Sequence, residues 1–235
     1  MGNMYGDSVK QWNVMKGCKF DCTYCKKSFQ LIAKRWQKPR IDKDGKKQGC
    51  QQCYDYEPHF HPERLNISFP KTEGDQFIWC CSSGDISFMK EEWMEQVLDI
   101  VRKRHDRRFF FQTKDPRVFL KYDFPNNSIL GITLENNRDY KYDLISKAPL
   151  PHKRWSDFRK IDHPKKRITV EPILEFDIDN FFMMLYESNP EKIYIGYDTK
   201  KTLGLIEPTI EKTRLLISYL RDEGIKVQEK YIPGV

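Results

Sequence analysis

Gly17-Cys18-Lys19-Phe20-Asp21-Cys22-Thr23-Tyr24-Cys25 sets three cysteines in a C-x3-C-x2-C array, entered from the apolar run Trp12-Asn13-Val14-Met15. Three thiols this close and this regular suit the ligation of an iron–sulfur cluster. Four-iron clusters normally take four cysteines, so a compact set of three leaves one iron without a protein ligand and open to chemistry. The same residues also read as a zinc site short of its fourth ligand, or as buried cysteines grouped by chance. The run ahead of the array predicts a first strand over Trp12–Met15, with Gly17 giving the backbone room to turn close to a cluster. After Cys25, the residues Phe29, Leu31, Ile32 and Trp36 recur at helical spacing among lysines, which predicts a helix ending before Pro39. Strand, cysteine loop and helix make one βα unit.

Further along, apolar runs of β type alternate with helical patterns. Phe77-Ile78-Trp79-Cys80-Cys81 has no polar alternation, as a strand buried on both faces of a parallel sheet requires, and it ends in Ser82-Ser83-Gly84-Asp85. Glu91–Lys103 places Trp93, Met94, Val97, Leu98 and Val101 on one helical face, with acids early and bases late as the helix dipole prefers. Phe109-Phe110-Phe111 ends in Gln112-Thr113-Lys114, and Ile129–Leu134 ends in Glu135-Asn136-Asn137. Ile168-Thr169-Val170 ends in Glu171-Pro172, and Lys192-Ile193-Tyr194-Ile195 ends in Gly196-Tyr197-Asp198. Helices are predicted around Val118–Lys121, Trp155–Lys160, Asp179–Glu187 and Thr209–Arg221, and Ile225–Val227 is a further strand or a packed tail. The fold class is therefore α/β with six core strands. Each strand finishes on polar or ionisable residues, and in parallel α/β barrels that rim is where active sites are built.

At 235 residues the chain is long enough for one sizeable core, and it reads as a single domain over 1–235 with an insertion over 39–76. No apolar stretch approaches the roughly 18 residues of a membrane span, and the start, Met1–Asp7, lacks the apolar core of a signal peptide. Seven cysteines, three of them in the array, argue against a secreted disulfide framework, so a reducing, cytoplasmic setting is expected. The formal charge of +7 favours an anionic partner such as a nucleotide, nucleic acid or acidic protein.

The insertion is polar and rich in glycine and proline, the composition of a functional or disordered loop. It carries Cys50-x2-Cys53 followed by His59 and His61. These four are a candidate second metal site, closing on zinc and pinning an otherwise structureless segment. The alternative is free thiols at Cys50 and Cys53, with the histidines in a substrate pocket.

The cysteine spacing, with an aromatic residue just before the third cysteine, resembles the signature of the radical S-adenosylmethionine (SAM) superfamily. That resemblance implies a four-iron cluster on Cys18, Cys22 and Cys25 whose free iron chelates the amino and carboxylate groups of SAM. An electron from the cluster then breaks the sulfonium and leaves a 5'-deoxyadenosyl radical that abstracts hydrogen. It further implies an electron donor such as a flavodoxin or ferredoxin, a role for Tyr24 near the adenine, and a SAM amino-group site at Ser82, Ser83, Gly84 and Asp85, although this turn departs from the usual Gly-Gly-Glu type. Trp12-Asn13, the cysteine array, Cys50/Cys53 with Pro58–Leu65, Thr113–Pro116, Leu130–Asn136 and Val170–Ile173 together are similar to a compact radical-SAM-like family often encoded by phages and prokaryotes. The similarity runs from about Gln11 to about Asp198 and implies a partial six-stranded (β/α)6 TIM-like barrel, with the Cys/His insertion after its first βα unit.

On the rim, Lys114 is expected to pair with the SAM carboxylate or a substrate phosphate. Glu135 and Glu171 are expected to take ribose hydroxyls or a substrate amine, and the two carboxylates suggest acid–base work. Thr113 and Asp198 complete the candidate cofactor set. The competing reading of each is a salt bridge or a helix cap. Two basic stretches, Lys34–Lys47 and Lys147–Arg167, suit phosphate contacts or simply solvated faces. Two functions follow: a radical SAM enzyme acting on a nucleobase, nucleotide or nucleic acid, or an iron–sulfur or zinc nucleic-acid-binding module without turnover.

Overall fold

The uninterrupted apolar runs become the buried strands. A computed structural model describes residues 4–202 and 204–234, so Met1–Asn3 of the stretch read for a signal peptide lie outside the described residues. The chain forms two compact units, one of Met1–Asp21, Cys25–Gln112 and Asp123–Ile129, the other of Cys22–Tyr24, Thr113–Tyr122 and Leu130–Val235.

In the first unit, β1 (Ser8–Trp12), β2 (Phe77–Cys80) and β3 (Phe109–Thr113) lie side by side and parallel, with Trp12 opposite Cys80 and Ile78 opposite Phe109. The first strand begins earlier than predicted. Its residues alternate half-buried and exposed, so an edge strand with one covered face was hidden behind Lys10 and Gln11. Met15, predicted as the end of that strand, instead joins Lys16 in pairing with His59–Phe60 of the insertion. Tyr5 meets Trp79 and Phe110 edge-on at 4.8 and 5.4 Å, and its hydroxyl donates to Gln112 at 2.9 Å. Trp12 is fully buried and donates its indole N–H to the Arg64 carbonyl at 2.8 Å.

In the second unit, β4 (Ser128–Thr133), β5 (Lys166–Val170), β6 (Lys192–Ile195) and β7 (Lys226–Glu229) are parallel in that order. Leu130 faces Lys166, Ile168 faces Ile193 and Lys192 faces Lys226. The six expected core strands are all present, and the Ile225–Val227 run becomes a seventh. The fold class is the partial TIM-like α/β barrel expected from the sequence.

The helices fall close to their predicted places, at Phe29–Gln37, Glu91–Lys103, Pro151–Phe158, Ile178–Glu187 and Ile210–Asp222, while Pro116–Leu120 winds as a 3-10 helix. Helix Phe29–Gln37 buries none of its residues, so the apolar face predicted for it is open: Leu31, Ile32 and Trp36 stand exposed. The insertion is structured, holding a hairpin of Arg40–Ile41 with Lys47–Gln48 and a helix Gln51–Asp55. Among the described residues, no helix is long and apolar enough to cross a membrane.

Candidate active site

The polar strand ends fall into separate arrangements. In the second unit the centre is Glu135, two residues past β4 and with no exposed surface. Its Oε1 accepts hydrogen bonds from the Tyr142 hydroxyl at 3.0 Å, from the Tyr24 hydroxyl and from Lys114 Nζ. Its Oε2 lies 2.8 Å from a terminal guanidinium nitrogen of Arg154, an ion pair between two side chains with no exposed surface. Arg154 is itself fully buried and donates to the Thr133 carbonyl. The Lys114 ammonium sits 4.8 Å from the Tyr24 ring centre, and the Arg154 guanidinium 4.9 Å from that of Tyr142.

Charge decides the protonation here. Burial alone would raise the Glu135 carboxyl, but Arg154 and Lys114 outweigh it and hold the group well below the usual carboxylate range. Burial likewise works against the Lys114 ammonium, yet neighbours led by Cys22 and Glu135 outweigh it and hold Lys114 above the usual lysine range. Burial, Cys22 and Glu135 raise Tyr24, and burial with Glu135 pushes Tyr142 up to about 12, so both stay phenolic donors. Glu135 and Lys114 are thus a fixed charge pair at neutral pH.

Glu171, at the end of β5, behaves differently. It takes a hydrogen bond from Lys230, just past β7, and not from Lys114. Burial raises Glu171 despite Lys230, and burial lowers Lys230 despite Glu171. The two shifts run toward each other, opposite to those of Glu135 and Lys114. Asp198 organises its own loop by accepting from the backbone N–H groups of Lys200 at 2.9 Å and Thr202 at 2.7 Å. Thr113 is buried and accepts from the Asp115 N–H at 2.9 Å.

In the first unit the turn after β2 is fastened to the chain before the cysteines. The Asn13 side-chain oxygen accepts from the Ser82 hydroxyl at 3.1 Å and the Ser83 N–H at 2.9 Å. Gly17 donates to the Ser83 carbonyl at 3.1 Å and accepts from the Asp85 N–H at 3.3 Å. Asp85 accepts from the N–H and hydroxyl of Ser87 at 3.0 and 2.7 Å. Gly17 has φ +91°, and a Cβ there would lie 2.2 Å from the Glu57 carbonyl oxygen; one on Gly84 would lie 2.7 Å from that of Gly17. A cavity of about 140 Å³ opens beside Ser83, bordered by Lys16, Cys53, Tyr56 and the helix residues Phe29 and Trp36.

None of Cys18, Cys22 and Cys25 is in a disulfide. The Phe20 N–H points to Cys18 Sγ at 3.5 Å, the Cys18 N–H donates to the Tyr56 carbonyl at 3.2 Å, and Cys22 Sγ lies 3.1 Å from the Ser146 hydroxyl. Three cysteine thiols in one short loop are the donor chemistry an iron–sulfur cluster takes.

No protein-family model and no curated protein matches this chain. Solved structures do match. A spore photoproduct lyase complexed with dinucleoside spore photoproduct is similar at 12% identity over 94% of this chain and 76% of that one, with a TM-score of 0.60. A radical SAM methyltransferase from Sphaerobacter thermophilus is similar at 14% identity over 98% and 68%, with a TM-score of 0.54. Streptococcus suis SuiB bound to precursor peptide SuiA is similar at 8% identity over 97% and 50%, with a TM-score of 0.55. At such identities the likeness is one of fold.

Of the residues singled out from sequence, Tyr24, Lys114 and Glu135 are brought together, as are Ser82–Asp85 with Gly17. Tyr142, Arg154, Lys230 and Asn13 were missed. Arg154 was submerged in the basic stretch Lys147–Arg167, most of which serves the fold: Lys166 and Arg167 are buried, Lys153 and Lys160 pair with Asp157, and Arg159 pairs with Glu187. Its signal was available. Pro151, Arg154 and Phe158 recur at helical spacing on one face, and an arginine on an apolar face needs a buried anion.

Proposed function

We propose that this protein is a radical SAM enzyme, a single barrel domain over 1–235 with the insertion 39–76, in which Cys18, Cys22 and Cys25 hold a four-iron cluster. The observation that carries the reading is a loop of three cysteines, none in a disulfide, in a parallel α/β fold similar to that of a radical SAM methyltransferase. Spore photoproduct lyase, a second such neighbour, has been solved with bound AdoMet, which is SAM. When bound, the cluster supplies the electron that cleaves SAM to methionine and a 5'-deoxyadenosyl radical, and a flavodoxin or ferredoxin is the class of protein that would deliver it.

The chain's own residues have distinct tasks. The backbone of Ser82–Asp85, held by Asn13 and Gly17, offers carbonyls to the SAM amino group. Lys114 and Glu135 give a fixed, oriented charge pair for the carboxylate and ribose end, with Tyr24 beside them. Glu171 and Lys230 move a proton to or from the substrate. Thr113 and Asp198 shape the loops on which these residues stand.

For the substrate we favour a nucleobase, nucleotide or nucleic acid. Lys34, Arg35, Lys38, Arg40, Lys43, Lys46 and Lys47 are exposed around the helix Phe29–Gln37 and the following hairpin, and none makes a salt bridge among the described residues. Trp36, 64% exposed in the same segment, offers a stacking face.

The test is anaerobic protein, reduced and given SAM. Expected are about four irons per chain, a paramagnetic signal that changes when SAM is added, and 5'-deoxyadenosine in the products. An intact, reduced cluster that binds SAM without ever forming 5'-deoxyadenosine would instead support the binding module without turnover.

A further inference from the structure

The insertion contains four metal-ligand side chains that the reaction above does not use. Cys50 caps the helix Gln51–Asp55 and Cys53 lies on its first turns. The chain then reverses at Tyr56, which takes a left-handed conformation at φ +60°, and returns as the short strand His59–Phe60 paired with Met15–Lys16. In an extended segment, residues two apart share a face, so His59 and His61 both turn toward the cysteines. His61 is further fixed by its N–H on the Val14 carbonyl at 2.7 Å.

The four ligand atoms all lie within 4.8 Å of one another. Cys53 Sγ is 3.3 Å from Nε2 of His59 and 3.3 Å from Nε2 of His61, and Cys50 Sγ is 3.5 Å from Nε2 of His59. A tetrahedral zinc ion with its usual bonds to sulfur and nitrogen spaces them at about 3.5 Å. Both rings are also oriented from behind. Nδ1 of His59 faces the Glu57 carbonyl at 2.7 Å, and Nδ1 of His61 faces a Glu63 carboxylate oxygen at 2.8 Å. Outer partners of this kind hold a ligating histidine in the tautomer that leaves Nε2 free for metal. Two cysteines and two histidines also hold two-iron clusters, but those split sulfur and nitrogen between two metals. Sulfur and nitrogen in contact here indicate one ion.

We propose that Cys50, Cys53, His59 and His61 form a closed, structural zinc centre that ties the insertion to the strand segment feeding the cysteine loop. Cys53 and His59 are buried and Cys50 and His61 half-buried, and the four side chains make up a complete tetrahedral set. The proposal is independent of the cluster assignment, since it shares no ligand with Cys18, Cys22 or Cys25.

The experiment is metal analysis and zinc-edge X-ray absorption on the full chain, as purified anaerobically and in a variant carrying Cys18→Ala, Cys22→Ala and Cys25→Ala. Expected is about one zinc per chain in both, with a shell of two sulfurs at about 2.3 Å and two nitrogens at about 2.0–2.1 Å. Cobalt titrated into zinc-depleted protein should give the intense visible bands of a tetrahedral thiolate site, and those bands should weaken in Cys53→Ser. Three results would overturn the proposal: protein that neither carries nor takes up zinc, a shell of light atoms only, or zinc that disappears with the cluster cysteines. Because the absorption spectrum is taken on the unmutated chain, a Cys53→Ser protein that fails to fold does not rescue the idea.

Discussion

Replacing Glu135 by glutamine keeps the shape of the side chain and removes the single negative charge between Lys114 and Arg154. Both cations then face each other in a region where Glu135 and Arg154 have no exposed surface. At the 2.8 Å separation of Glu135 and Arg154, with an effective dielectric constant of about 20, the lost attraction is at most about 6 kcal/mol. Breaking a buried pair by removing one partner costs about 3–5 kcal/mol once relaxation is included. At roughly 2–4 °C per kcal/mol for a chain of this size, melting should fall by about 10 °C. The pH dependence sharpens the test. The Glu135 carboxyl is depressed in the fold, so its contribution is fully present above the ordinary value of 4.5 and declines as pH falls below it toward the folded value. The gap between wild type and Glu135→Gln in urea unfolding should therefore hold steady from pH 8 to pH 5 and shrink by about 2 kcal/mol at pH 3, at 1.36 kcal/mol per pH unit. A gap below about 1 kcal/mol at pH 7, or one that does not narrow in acid, would refute the charge network as the anchor of this site.

Gly17→Ala puts a methyl group into the Glu57 carbonyl at a backbone angle that disfavours it, so the variant should lose most of its iron after reconstitution while the far-ultraviolet circular dichroism stays that of an α/β protein. Charge reversal at Lys43, Lys46 and Lys47 should weaken binding of a single-stranded oligonucleotide about tenfold or more and flatten the salt dependence by roughly 2 log units per log unit of salt, as three lost phosphate contacts require; binding that ignores the reversal would point to another surface. Lys230→Met removes the cation that opposes burial at Glu171, so that carboxyl should stay protonated to higher pH than in the wild type. Because its pKa is raised, its share of stability is present below the ordinary carboxylate range and lost as pH rises through the folded value, which a carbonyl-carbon NMR titration of Glu171 would follow directly.

Strands buried on both faces announced themselves. Phe77–Cys81 and Ile168–Val170 have no polar alternation because nothing on either side of them is wet. Ser8–Trp12 did not, since an edge strand covered on one face tolerates Lys10 and Gln11 and resembles a loop. Lys114 and Glu135 were readable as strand ends, but their mutual contact depends on strand neighbours that no local pattern encodes. The burial of Arg154 was readable from its helical spacing, but its partner was not, and Lys230 was further out of reach. One comes from a helix and the other from beyond the last strand, so neither pairing is encoded locally. The helix Phe29–Gln37 forms where its spacing put it, but that spacing did not say whether the apolar residues would be covered, and Leu31, Ile32 and Trp36 stand exposed.

The junction of Gly17, Gly84 and the Glu57–Pro58 peptide has a genetic consequence. The atoms that a new side chain at Gly17 would strike belong to the main chain of Glu57 and Pro58, and those that one at Gly84 would strike belong to the main chain of Lys16 and Gly17. A clash with a leucine can be relieved by a second mutation to alanine, whereas a carbonyl oxygen is the same in every residue. Loss-of-function alleles at these two glycines should therefore resist intragenic suppression by side-chain changes, and in a revertant screen true reversion to glycine should dominate.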